Sequence, residues 1–160
     1  MNAKNLMRAM RNNAFGSFLT GFVASLVLVG TVTSCTFKAE RRGIPPEVEA
    51  AIGTISDDIQ QERYEKIYNE ASDLWRGAAS LEESTEVFKK LKTKLGNVEN
   101  RVLHSATEQN NSGGPLKGRA YIVSYQTKFE RGEGMETFTL VERDHKWLLA
   151  KYFVNSTALN

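Results

Sequence analysis

The sequence predicts an α+β domain in which helices come first and pack on one face of an antiparallel sheet. Two observations lead to this class. Apolar residues recur at helical spacing as far as Gly96, and beyond Gly96 their period changes to two. The strand-like segments that follow are joined by short turns, which makes them antiparallel neighbours. Helices followed by such a meander indicate a sheet of about four strands covered on one side.

Composition limits the alternatives. The chain has 160 residues, of which 41% are hydrophobic and 25% charged, so it is long enough for one domain and a targeting segment. This balance excludes collagen-like and wholly disordered classes. The single cysteine excludes an internal disulfide framework and a multi-cysteine zinc site. No nucleotide-binding or other cofactor motif is present, so we expect neither a cofactor nor a metal.

The first 34 residues have the layout of a secretory signal. Residues 1–13 are polar and contain three cations, whereas residues 14–34 carry no charge. The apolar segment ends at the only cysteine of the chain, Cys35, which follows three residues that resemble the bacterial lipobox: Val32, Thr33 and Ser34. In that pathway the cysteine thiol receives a diacylglycerol, the chain is cut before it, and the new amine is acylated.

We therefore expect residues 1–34 to be a lipoprotein signal peptide, with Cys35 as the acylated residue that anchors the chain in a membrane. The alternative is that residues 14–34 remain as a membrane-spanning anchor, since about 20 apolar residues suffice to span a bilayer. Both alternatives place residues 36–160 in the periplasm or at the cell exterior. Residue 36 is Thr, whereas an Asp directly after the cysteine would favour retention in the inner membrane. This residue therefore favours the outer membrane as the site of the anchor.

Net charge argues against nucleic-acid binding. The whole chain has a formal charge of +2, but the three cations of the leader account for the excess. Residues 35–160 contain 18 basic and 19 acidic side chains. A nearly neutral domain has no field that attracts a polyanion, so we expect no nucleic-acid partner.

The remaining chain is predicted to be a tether, residues 35–45, and a single domain, residues 46–160. Apolar spacing predicts three helices, and Ser80 with Glu83 forms a capping-box pattern before the third. Gly96 is suited to end that helix. The predicted helices are residues 46–62, residues 64–75 with an end at Gly77, and residues 81–95.

Four strands are predicted after Gly96. The clearest is the second, in which five alternating residues share one face: Tyr121, Val123, Tyr125, Thr127 and Phe129. A loop with asparagine, glycine and proline and two turns separate the strands. The predicted order is strand 98–108, loop 110–115, strand 118–130, hairpin turn 131–134, strand 135–142, turn 143–146 and strand 147–154.

Residues 52–155 resemble the bacterial domain of unknown function 4019. The resemblance rests on Leu95 with Gly96, on Asn100 with Arg101, on the alternating residues of the second strand with Gly118, and on residues 136–140, Trp147, Tyr152 and Phe153. Lys151 departs from the pattern, where glycine is expected. The resemblance implies the cone of the cystatin-like and nuclear-transport-factor-2-like superfamily, a curved antiparallel sheet around helices. It carries over no catalytic residue.

Such cones often hold a pocket between sheet and helices, which some members use for acid–base catalysis. The candidate pocket residues here are Tyr121, Tyr125, His104, Trp147 and Tyr152. Aromatic residues at strand spacing are typical of a packed core, and a lone histidine on a strand is rarely a base. Glu142 alternates with Phe138 and Leu140, and we expect it to be the exposed end of its strand. No catalytic constellation emerges, so we expect no enzyme.

Three functions are compatible with these sequence features. The first is a membrane-anchored binding or adaptor module that docks an envelope protein. The second is a carrier or sensor of a small apolar ligand in the pocket between helices and sheet. The third is an enzyme of the isomerase or dehydratase type, which requires a buried ionisable group in that pocket.

Overall fold

A computed structural model describes residues 43–160, and the predicted signal peptide and the predicted acylation site Cys35 lie outside the described residues. Four helices precede a four-stranded antiparallel sheet of order β1-β2-β3-β4, which confirms the α+β class. The helices are α1 (Pro46–Gln60), α2 (Tyr64–Glu70), α3 (Asp73–Ala78) and α4 (Leu81–Leu95). The strands are β1 (Val98–Asn111), β2 (Gly118–Phe129), β3 (Gly132–Arg143) and β4 (Lys146–Ser156), followed by a 3-10 turn at Thr157–Leu159.

The ends of α4 are as the sequence predicts. Ser80 Oγ accepts a hydrogen bond from the backbone N–H of Glu83 at 3.2 Å, and Glu83 Oε2 accepts one from the backbone N–H of Ser80 at 2.8 Å. This capping box satisfies two N–H groups that have no partner within the helix. Gly96 ends the helix with a φ of 78°, a conformation that residues with a Cβ rarely adopt.

The single helix predicted over residues 64–75 is wrong, because the structure has two short helices there. The chain breaks at Ser72, whose backbone N–H and Oγ both donate to the Leu149 carbonyl of β4, each at 2.9 Å. Ser72 is 1% exposed, so these bonds are shielded from water. The chain is therefore stabilised more by these two hydrogen bonds from Ser72 to β4 than it would be by a continuous helix.

The first hairpin turn of the sheet also differs from the prediction. The loop before β2 begins only at Ser112, because Asn110 and Asn111 still pair with Arg119 and Gly118 in the β1–β2 ladder. The loop is therefore residues 112–117, two residues later than the predicted loop 110–115.

The turn between β2 and β3 consists of Glu130 and Arg131, not of residues 131–134. Both turn residues dock on the α4–β1 connection, where their N–H groups donate to the carbonyls of Asn97 and Leu95 at 2.9 Å. Gly134 belongs to β3, where a Cβ would lie 2.6 Å from the Asn155 oxygen. Close packing of β3 and β4, and not the turn, requires this glycine. The predicted turn between β3 and β4 is confirmed, with Asp144 and His145 at positive φ.

One face of the sheet carries the helices and the core. Phe88 of α4 lies at the centre, with its ring centroid 5.5 Å from that of Tyr64, 5.7 Å from that of Trp75 and 5.7 Å from that of Tyr152. The alternating residues of β2 face the same side, as predicted. A smaller cluster of Leu95, Phe129 and Val154 closes the end of this core. Among residues 43–160, no helix has both the length and the apolar character that a membrane span requires.

Candidate functional site

The predicted pocket residues do not converge on one point. His104 is exposed and lies where the β1–β2 register shifts between Leu103 and Ser105. Tyr125 is half-buried, and its ring packs edge-on against Phe138 at a centroid distance of 6.1 Å. Within residues 43–160, no hydrogen bond joins either side chain to a second titratable group.

Tyr121 and Trp147 belong to a separate polar cluster at one end of the sheet. Their rings meet edge-on at a centroid distance of 5.5 Å, and the Tyr121 hydroxyl donates to Glu108 Oε2 at 3.3 Å. The guanidinium of Arg119 lies 5.3 Å from the Trp147 ring centroid and donates to Glu108 at 3.0 Å and Glu142 at 2.9 Å. Glu142 is thus paired and mostly covered, not the free end of its strand. Four of the five groups are partly open to water, which makes this an ordinary surface network.

The fifth candidate, Tyr152, reveals a buried polar group that sequence reasoning missed, Glu136 of β3. This carboxylate is fully buried and accepts four hydrogen bonds. Arg101 donates from Nε at 2.5 Å and from Nη2 at 2.8 Å. The Thr127 hydroxyl donates at 2.9 Å, and the Tyr152 hydroxyl donates at 2.7 Å. We call these four residues, Arg101, Thr127, Glu136 and Tyr152, the Glu136 cluster.

Strand register explains how the Glu136 cluster assembles. Arg101 pairs with Thr127 across β1 and β2, and Glu136 pairs with Tyr125, two residues from Thr127 on the same face. Tyr152 lies two residues from Val154, the β4 partner of Glu136. One residue from each strand therefore meets on the helix-facing side. The alternation of Glu136 with Phe138 and Leu140 was the available sequence signal, because it places the carboxylate on a buried face.

Electrostatics keep the Tyr152 phenol neutral and the Arg101 guanidinium charged. Burial raises the pKa of Tyr152 well above its ordinary value, and the adjacent Glu136 charge raises it further. Burial alone would lower the pKa of Arg101, but the hydrogen bonds and charge of Glu136 outweigh burial and raise it. At neutral pH a neutral phenol and a cationic guanidinium therefore face the carboxylate.

A small cavity adjoins the Glu136 cluster between α1, α4 and the sheet, with a volume of about 40 Å³. Its polar lining comes from six residues: Ser56, Gln60, Lys92, Asn97, Arg101 and Tyr152. Its apolar lining comes mainly from Ile59, Phe88, Leu91, Leu95, Val98 and Phe129. Among residues 43–160, no group of three histidine, cysteine, aspartate or glutamate side chains has the arrangement of a metal site.

Comparison with known proteins gives a family without an assigned activity. No curated protein matches the chain. Residues 54–152 match the family DUF4019, described as a protein of unknown function. The match begins within α1 and ends at Tyr152, so it contains the whole Glu136 cluster and most of the cavity lining. The chain belongs to the DUF4019 family.

Proposed function

We propose that this chain is a lipid-anchored envelope protein whose domain, residues 46–160, is a non-catalytic binding module for another envelope protein. The saturation of Glu136 carries the non-catalytic part of this proposal. An ionised carboxylate has about four acceptor sites, and Glu136 receives four donors, two on each oxygen. A general base needs a free lone pair within reach of the substrate proton. Glu136 is therefore better suited to hold four strands in register than to abstract a proton.

The free edge of the sheet supports a binding role. The β4 edge is partly covered, because Ser72 donates twice to the Leu149 carbonyl. On the opposite edge, β1 pairs only with β2 among the described residues. Two neighbouring β1 side chains are exposed there, Val102 at 58% and Leu103 at 45%. An open edge with exposed apolar residues can accept an extended segment of another protein.

The proposed anchor is Cys35, and its support is the lipobox of Val32, Thr33 and Ser34. Such an anchor would keep the domain at the cell membrane or the outer membrane, on its periplasmic or exterior side. We also propose the cystatin-like and nuclear-transport-factor-2-like cone for the fold, supported by helices that precede a four-stranded meander and cover one of its faces.

Acylation is tested by metabolic labelling with a palmitate analogue in bacterial cells that express the full chain. We expect label on the wild-type protein and none on Cys35→Ala, and only the wild type should be cut before residue 35 to a smaller form. A wild-type protein that carries no label and keeps residues 1–34 would instead favour residues 14–34 as a spanning anchor. Equal labelling of both proteins would contradict acylation at Cys35.

The binding role is tested by crosslinking in intact cells followed by pull-down. We expect one envelope protein to be recovered with the wild type and lost with the double variant Val102→Glu and Leu103→Glu. The matched control is Val87→Glu on α4, which is 52% exposed and lies away from the β1 edge. Loss of the partner in the control, or its retention in the double variant, would contradict binding at this edge.

The volume of the cavity weighs against the second candidate function, a carrier or sensor of an ordinary small molecule. Pockets for ordinary small molecules have volumes of about 300–1,000 Å³. The cavity of about 40 Å³ accommodates far less. An enzyme of the isomerase or dehydratase type is the remaining alternative, and the saturated Glu136 weighs against it.

A further inference from the structure

The cavity beside the Glu136 cluster contains a buried hydroxyl whose hydrogen bonds the fold does not supply. Ser56 of α1 is 8% exposed and lines the cavity. Its Oγ has no hydrogen-bond partner among residues 43–160. Thr54 on the same helix shows the usual solution, since its hydroxyl donates to the Ala50 carbonyl at 3.1 Å. A buried polar atom without a partner is rare and costly, so it indicates that something else satisfies it.

Arg101 supplies a second unused donor at the same cavity. Its Nε and Nη2 bind Glu136, and none of the hydrogen bonds within the described chain uses Nη1. The guanidinium is held in place by this fork and lies 5.7 Å from the Phe138 ring centroid. Arg101 therefore offers a fixed donor that costs little further ordering on binding.

The lining of the cavity supplies many hydrogen-bond donors and no negatively charged acceptor. The cations Arg101 and Lys92 both line the cavity, and no aspartate or glutamate does. Lys92 Nζ donates to the Gln60 carbonyl at 3.2 Å and to Asn97 Oδ1, and it lies 3.9 Å from Glu62 Oε1; these contacts fix its ammonium. A molecule that enters must bring oxygen acceptors to match these donors.

The rest of the lining is mainly apolar. It includes Phe88, Leu91, Leu95 and Phe129. The volume of about 40 Å³ corresponds to about three or four water molecules, at roughly 10–15 Å³ for each. This space fits a head group of two oxygens and the first carbons of a chain, and it excludes a ring or a bulky ligand.

We propose that this cavity binds a short-chain aliphatic carboxylate, whose oxygens accept hydrogen bonds from Ser56 Oγ and Arg101 Nη1 while its chain packs on Leu91 and Phe129. This proposal does not rest on the partner proposed at the β1 edge, because its evidence is the lining of the cavity and not the exposed Val102 and Leu103. It needs no covalent step and no metal.

The test is an NMR titration of the full chain in detergent with sodium butyrate. We expect the amide signals of Ser56 and Arg101 to shift and saturate, and to stay unchanged with equal sodium chloride. Butylammonium, which has the same chain and the opposite charge, is expected not to saturate them. Ser56→Ala should raise the dissociation constant about ten- to 100-fold, the value of one hydrogen bond to a charged ligand.

Two further variants keep the proposal falsifiable. Ser105→Ala removes an exposed serine of β1 and should bind butyrate as the wild type does. Leu91→Phe fills the cavity and should abolish binding while the spectrum stays that of a folded protein. Non-saturating shifts, equal binding of butylammonium, or wild-type affinity in Ser56→Ala or Leu91→Phe would each overturn the proposal.

Discussion

Glu136 joins all four strands, so its charge should matter more to stability than any other carboxylate on the sheet. Replacement of Glu136 by Gln keeps the shape but leaves the Arg101 cation without its counter-charge in a mostly buried place. We expect a loss of about 3 kcal/mol in the free energy of unfolding. Urea denaturation measures it, with Glu133→Gln as control, since Glu133 is an exposed carboxylate on the same strand. Equal midpoints for the two variants would show that the cluster contributes nothing.

Removal of the Tyr64 hydroxyl should stabilise the protein, whereas loss of the Glu136 charge should destabilise it. Its ring stacks on Phe88, but its buried hydroxyl has no hydrogen-bond partner among the described residues. Tyr64→Phe keeps the ring and removes the unsatisfied group, so we expect a gain of about 1 kcal/mol in stability. Tyr152→Phe is the matched comparison, because that hydroxyl donates to Glu136, and it should lose stability. Thermal unfolding of both variants checks the signs, and a loss in Tyr64→Phe would reveal a partner for its hydroxyl.

Asp58 should make stability depend on pH in the acid range. Its side chain is 2% exposed and accepts hydrogen bonds from Arg63 Nε and Lys66 Nζ, both at 2.7 Å. Burial raises its pKa, but these bonds and charges outweigh burial and hold the pKa below its ordinary value of 3.8. A lowered pKa stabilises the fold above pH 3.8, and this stability is lost as the pH falls through the folded pKa. Urea midpoints between pH 2.5 and about 6 should therefore fall less steeply for Asp58→Asn than for the wild type. Parallel curves would contradict this role.

Single residues of the Glu136 cluster could be predicted from the sequence, but their contact with one another could not. Tyr152 could be predicted as inward-facing from its strand, and Arg101 was one of the residues that resembled the family. Their meeting at Glu136 could not be predicted, because it depends on the register of three strand pairs. A shift of one residue would turn Glu136 to the other face. His104 shows the same limit, since the irregular register beside it was not visible in the alternation.

Among the elements, β3 and β4 approach each other so closely at Gly134 that a side chain there would meet the backbone of β4. A Cβ on Gly134 would lie 2.6 Å from the Asn155 oxygen and 2.9 Å from Ser156 Cβ, so β4 would have to move. We expect Gly134→Ala to cost about 1–3 kcal/mol, as overpacking in a core does. Gly113→Ala in the β1–β2 loop is the control, because nothing lies within 4 Å of its added methyl. Chemical denaturation of both variants decides the point, and equal stability would contradict the close approach of the strands.

Local patterns predicted the elements whose ends are decided locally. The capping box at Ser80 and the glycine after α4 lie within the segment that they delimit, so their signals are complete in the sequence. The break between α2 and α3 depends on Leu149, which is 77 residues from Ser72. The β2–β3 turn likewise depends on the carbonyls of Leu95 and Asn97. Boundaries set by such distant contacts cannot be read from apolar spacing.

At the scale of the whole domain, the order of helices and strands was sufficient to predict the class and the sheet order. Short connections leave a four-stranded meander few other arrangements. The sequence did not show how unequally the two edges of the sheet are covered. The helices contact β4 directly and α3 blocks part of its edge, whereas β1 has contacts mainly with β2.

The unequal coverage of the β1 and β4 edges predicts that local stability differs between the strands of the sheet. Amides of β2 and β3 lie between two strands and under the helices, so their exchange should require global unfolding. Residues 105–111 of β1 are mostly exposed and are held on one side only, so we expect their amides to exchange at least tenfold faster. Hydrogen exchange followed by mass spectrometry of the full chain measures this difference. Equal protection of β1 and β3 would show that the domain opens as one unit. If β1 exchanges faster, a partner that adds a strand to its edge should slow exchange in β1 and leave β3 unchanged, which separates edge binding from general stabilisation.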